Sequence, residues 1–335
     1  MKQITGVVLI LFLVGCGATD KKSQPPVQTE SPSTQRPSVN PPATQNNTPR
    51  PETNTLQPET KTLQPETNIS QSEEKTIYLC SNTLSDENSF TDTYIQHSTD
   101  DTDWSVSKYN LLKTEDIEKA FNRARANDPT VTKPMILPPQ NIWDNYTESE
   151  KVLYLVNKER CDRGLRPFEG IDPKIKSEAQ NYATYLKNHP DQYAHNPHEA
   201  DGRTPWQRMA QDAGVIVNQN ADFFQYGENI ASLSIGSTGN AFPRIYESEA
   251  RAVYGWMYQD KGESYGHRNF LMAKGLQENS GLKHMEGLIG IGKTTRQYQD
   301  GGYYWTQDIL VMDSFDPRSS WNNDLASVKR IELYR

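Results

Sequence analysis

Cysteine is scarce: Cys16, Cys80 and Cys161 are the only three, and no pair has a Cys-x-x-Cys spacing. A disulfide-dense scaffold and a structural zinc knuckle are thereby excluded. Basic residues are in the minority, with Lys+Arg 35 against Asp+Glu 43 and a formal net charge of −8. Nothing supplies the positive stripe that phosphate neutralisation needs, so nucleic acid is not an expected partner. Long apolar runs are also missing. The run from Ile4 to Gly15 is too short to cross a bilayer as a helix, which rules out a polytopic membrane protein. Residues 17–75 lack every aromatic residue, hold ten of the 21 prolines and carry only seven apolar side chains. Such a stretch buries too little surface to offset its ordering entropy. All six tryptophans and all 17 tyrosines lie elsewhere, in roughly 260 residues, enough for one sizeable core. Two catalytic signatures are absent as well: there is no Gly-x-Ser-x-Gly elbow and no His-Glu-x-x-His helix.

Lys2 precedes the apolar run, which ends in Leu13-Val14-Gly15-Cys16. This ending resembles the lipobox of bacterial lipoproteins, which implies cleavage before Cys16 and acylation of its thiol and new amine. Removing residues 1–15 takes away one lysine and leaves a charge of −9. Buried methylenes contribute about 0.8 kcal/mol each, so several acyl chains hold a protein firmly on a membrane. Gly17, in place of Asp, is similar to the pattern of lipoproteins sent to the outer membrane of Gram-negative cells. The expected location is the bacterial cell envelope.

Residues 16–75 then read as the acylated cysteine and a disordered stalk. Three seven-residue copies, PETNTLQ, PETKTLQ and PETNISQ, begin at Pro51, Pro58 and Pro65. One apolar residue and one proline per copy make no coiled-coil seam, and a polyproline-like tether is expected. Largely extended at ~3.1 Å per residue, it reaches on the order of 100–180 Å. In an oxidising compartment Cys80 and Cys161 can bridge, closing a loop of about 80 residues, or can stay as two buried thiols.

Residues 76–146 read as an extension packed on the main domain. Thr114 as cap, acids Glu115, Asp116 and Glu118, and the stripe Ile117, Ala120, Phe121, Ala124 predict a helix there. The main domain, 147–316, opens with the capping box Thr147-x-x-Glu150. Asp172-Pro173 and Thr204-Pro205 start further helices, the first carrying Ile175, Ala179, Tyr182, Ala183 and Leu186 on one face. A fourth helix is expected after Pro243, and strands over 287–293 and 303–312. Residues 317–335 form a C-terminal tail. The expected class is α+β, a small antiparallel sheet covered by helices.

Gly287 to Thr294 matches the phosphate-loop pattern by letter, but Leu288, Ile289 and Ile291 make it a strand with a turn after it, so no nucleotide is expected. A dispersed set carries more. Leu155-Val-Asn-Lys-Glu-Arg160, Ala194-His195, Gly227-Glu-Asn-Ile-Ala231, Trp256, Gly266-His-Arg-Asn269, Gly290-Ile-Gly292 and Tyr304-Trp-Thr-Gln-Asp308 stand in a fixed order. Together they resemble the bacterial branch of the CAP superfamily (cysteine-rich secretory, antigen 5 and pathogenesis-related 1 proteins) from about Thr147 to Ser314. The resemblance implies an αβα sandwich and a cleft of two histidines and two acids. Carried over by position, these are His195, Glu228 and His267. The second acid's usual place holds Gln259, with Asp260 next to it, so the set is incomplete.

His195 is preferred over His198, three residues on, because Pro197 between them argues against a helical pair. Two imidazoles and a carboxylate suit zinc or another divalent cation, with His195 and His267 as ligands. Glu228 is then the candidate base for metal-assisted hydrolysis. Alternatively the same groups form a hydrogen-bonded network. Arg268 either pairs with a carboxylate such as Asp308 or is a solvated loop arginine, and Asn229 is expected to cap the turn after Glu228. Three functions follow: a membrane-anchored binding or scaffold module meeting an envelope or extracellular partner, a metal-assisted hydrolase, and the lipid binding the family allows.

Overall fold

Side-chain caps start three helices at the places the sequence marks. In the computed structural model Thr147 and Glu150 form a reciprocal capping box at the head of α3 (Glu148–Asp162), and Asp172 accepts the Lys174 and Ile175 amides at the head of α4 (Pro173–Asn188). Thr204 and Gln207 box α6 (Pro205–Asp212). The structure describes residues 7–14, 77–78, 113–165, 167–215, 226–260, 266–272, 287–315 and 327–334. The repeats, the rest of the stalk, Cys16 and Cys80 lie outside the described residues.

In chain order the other elements are β1 (Val7–Val14), β2 (Ile77–Tyr78), α1 (Thr114–Arg125), α2 (Gln140–Trp143), β3 (Gly170–Ile171), α5 (Pro190–His195), β4 (Tyr226–Ser237), α7 (Ser248–Tyr258), α8 (Gly266–Met272), β5 (Leu288–Asp300), β6 (Tyr303–Phe315) and β7 (Leu333–Tyr334). The class is α+β. Among the described residues one sheet runs β1-β4-β6-β5-β3, and β2 pairs with β7 in a separate ribbon. The main sheet is mixed rather than wholly antiparallel, because β3 joins β5 in parallel. None of the described helices is long and apolar enough to cross a membrane.

Alternation along the strands assigns the two faces. Ile230, Ile309 and Val311 pack with Ala179, Tyr182, Ala183 and Leu186 of α4. Ala231, Leu233, Ile289, Ile291, Leu310 and Met312 turn the other way, into the core built with α3, α7 and α8. Helices thus cover both faces. Two glycines set how close α4 comes: a Cβ on Gly290 would sit 2.2 Å from the Ile175 carbonyl carbon, and one on Gly292 2.3 Å from that of Ala179. The glycines of the phosphate-loop look-alike therefore serve a helix crossing over a strand.

Helix α1 starts at Thr114, one residue earlier than the cap reading expected. Lys113 is the N-cap, and the Thr114 amide donates to Gln140 Oε1 at 2.8 Å. Its stripe Ile117, Ala120, Phe121, Ala124 is buried, and Phe121 sets its ring edge-on to Tyr254 and Tyr258 of α7. A buried ion network ties the same region to α3: Arg125 meets Asp162 at 2.8 Å and Glu159 at 3.1 Å, and Asp128 meets Arg163 at 2.8 Å. Residues 327–334, expected as tail, return to the core: Lys329 bridges Ile171 and Leu333 is buried. Cys161 is disulfide-bonded.

Candidate functional site

Glu228 and Asn229 are neighbours in β4, so alternation sends their side chains to opposite faces of the sheet. Each leads to one histidine. On the α4 face Glu228 is wholly buried and accepts from His198, Nδ1 to Oε1 at 2.7 Å. Its other oxygen takes a short bond from Arg208 Nη2. Arg208 in turn donates from Nη1 to the carbonyls of His198 and Arg203, both at 2.9 Å, and sets its guanidinium carbon 3.3 Å from the Tyr182 ring centroid. Tyr182 donates to the Pro197 carbonyl and accepts the Ala200 amide, which pins the loop carrying His198.

Behind this pair lie two more acids. Glu178, on the buried stripe of α4, faces Arg208 Nε at 3.3 Å, and Asp313 stands beside Glu228 in the β4–β6 register. Glu178 and Asp313 act on one another electrostatically, yet none of their four buried carboxyl oxygens accepts a hydrogen bond from a neighbouring donor. Two buried acids that repel one another and lack donors cannot both stay ionised, so one proton is shared by the pair. Burial, with Glu228 nearby and despite the pull of Arg208, pushes Glu178 up from 4.5 to about 7. Asp313 is raised well above the carboxylate range by burial and by its acid neighbours Glu178 and Glu228. Burial would lower the Arg208 guanidinium, but Glu228 and the other groups around it outweigh that and hold it above its ordinary value.

On the opposite face the second histidine has its own acid. His267 Nδ1 is 2.5 Å from Asp260 Oδ1, both side chains fully buried. Asp260 Oδ2 accepts the Arg268 amide at 2.9 Å, capping α8, and Asn229 donates to the His267 carbonyl at 3.3 Å. Phe270 of α8 closes over Gly227, where a Cβ would come within 2.1 Å of the ring.

His195, Glu228 and His267 are therefore not drawn into one cleft. His195 is exposed at the end of α5, and His198 takes the place expected of it. The proline that argues against a helical His195–His198 pair does not keep His198 out: Pro197 breaks the helix and turns the chain inward, and its carbonyl is held by Tyr182. Asp260 does join His267, as the substitute acid. Asn229 lies in a strand rather than capping a turn. Arg268 pairs with Asp128 at 2.7 Å, not with Asp308, which instead takes Thr295 Oγ1 at 2.7 Å and Lys293 Nζ at 3.5 Å. Among the described residues no group of three His, Cys, Asp or Glu side chains could hold a metal ion.

Glu178, Arg208 and Asp313 belong to no motif read from the sequence, though the two acids leave a trace. Glu178 interrupts the apolar stripe of α4 between Ile175 and Ala179, and Asp313 continues the inward alternation of Ile309 and Val311. A charge at a buried position requires a partner, and Arg208 is one shared by both sides. Compared with protein-family models, curated proteins and solved structures, the chain matches none.

Proposed function

We propose that the chain is a lipid-anchored, CAP-type binding module displayed on the bacterial cell envelope, acylated at Cys16 and held out on the stalk of residues 16–75. The observation that carries the binding reading is that both acids of the histidine–acid pairs have a partner on each oxygen, although His198 Nε2 is buried without one. Glu228 is held by His198 and Arg208, and Asp260 by His267 and the α8 amide. Carboxylates held in this way tie loops to the sheet and present a rigid surface; they are poorly placed to take a proton from water. The family resemblance supports the same reading through the fold class. Cys80 is the half-cystine partner of Cys161 in this scheme. Residue 78 ends β2 against β7, whose Tyr334 amide donates to Tyr154, seven residues before Cys161 on α3.

Elemental analysis and zinc calorimetry on the mature chain, on His198→Ala and on His267→Ala test the site. No stoichiometric metal is expected in any of them, with a loss of melting temperature in both variants. One zinc per chain that disappears in the variants would replace this reading with the metal-assisted hydrolase. The mass of the N-terminal peptide tests the anchor: an unmodified Cys16 would refute it.

A further inference from the structure

The sheet has one edge whose cover is not expected to survive export. Strand β4 pairs with β6 on its inner side and with β1 on its outer side, where Val7 to Val14 match Ser237 to Ile230 in eight consecutive rungs. Under the proposed function, on which this inference rests, residues 1–15 are removed. The mature protein then presents about 27 Å of unpaired backbone, at ~3.4 Å per residue. Natural edges are guarded by charge, proline, bulges or shortness. Ile230 to Ser237 reads Ile-Ala-Ser-Leu-Ser-Ile-Gly-Ser, with neither a charge nor a proline. Its register with β6 is unbroken, so no bulge turns it away.

We infer that, once the leader is gone, β4 pairs antiparallel with β4 of a second copy about a two-fold axis at Leu233, joining two sheets into one. The segment is self-complementary about that residue. Ser232 falls opposite Ser234 of the second copy, Ala231 opposite Ile235, and Ile230 opposite Gly236, so small faces large and no like charges meet. A two-fold contact uses one patch on both partners and closes, which stops growth into a fibre. Two chains tethered to one membrane also raise each other's effective concentration.

The test compares the mature acylated chain in detergent micelles with a Cys16→Ala chain that keeps its leader. Protein mass is read by light scattering and amide protection by hydrogen exchange. The mature chain is expected at twice the monomer mass with amides 230–237 protected. The leader-retaining chain, its edge filled by β1, is expected at monomer mass. A mature chain that stays monomeric to about 100 μM, a dimer whose amides 230–237 exchange freely, or a leader-retaining chain that dimerises equally would each overturn the inference. The intact mass of chain taken from the envelope separates the two ideas. Retained residues 1–15 would refute leader removal, while a chain begun at residue 16 would still report on the edge.

Discussion

Replacing Glu178 by Gln probes the shared proton between α4 and β6 directly. The amide keeps the shape, can donate to Asp313, and cannot ionise. In the wild type, burial raises Glu178 from 4.5 to about 7, so the fold binds this proton more tightly than the unfolded chain does. Its contribution is fully present below about pH 4.5 and is lost as pH rises through about 7. A displacement of that size is worth about 3 kcal/mol. Urea unfolding of the wild type and Glu178→Gln at several pH values from 4.5 to 8 should therefore show a stability difference that moves by about 3 kcal/mol in favour of the variant. Taking the difference removes the histidines and other groups that titrate alike in both chains, Asp313 excepted because Glu178 acts on it. A difference that stays flat, or that moves against the variant as pH rises, would refute the shared proton and with it the ordering of this acid cluster.

Two further substitutions test the framework around it. Arg208→Met leaves Glu228 buried beside a neutral side chain, and a loss of about 3–5 kcal/mol in thermal unfolding is expected; pairing it with Glu228→Gln should restore a substantial part. Gly290→Ala pushes a methyl group into the backbone of α4 at Ile175, so a loss of about 3 kcal/mol is expected, measured by urea midpoint, whereas Gly302→Ala has open space around the new carbon and should fail only through its positive φ.

Much of the scaffold is local and could be read early. Capping residues satisfy amides within their own helix, so Thr147, Asp172 and Thr204 announce helix starts without reference to anything distant. Buried stripes on α1 and α4 follow the helical period for the same reason. β4 is not legible as a strand because its motif Gly227-Glu-Asn-Ile-Ala231 holds four residues depleted in strands and is held by pairing on both sides. The C-terminal return is not legible either, since Lys329 and Tyr334 find partners over 150 residues away.

Residue types alone determined that acids such as Glu228 and Asp260, if buried, had to be matched somewhere, since a buried ion without a partner is too costly to keep. Which imidazole met which acid was decided only when the chain closed. Pro197 and Tyr182 turned His198 inward and left His195 in solvent, while the pleat of one strand put Glu228 and the His267 pair on opposite sides of the sheet. Pairings of that kind depend on the direction a side chain leaves the backbone and on contacts tens of residues apart, and neither is written in the order of the letters.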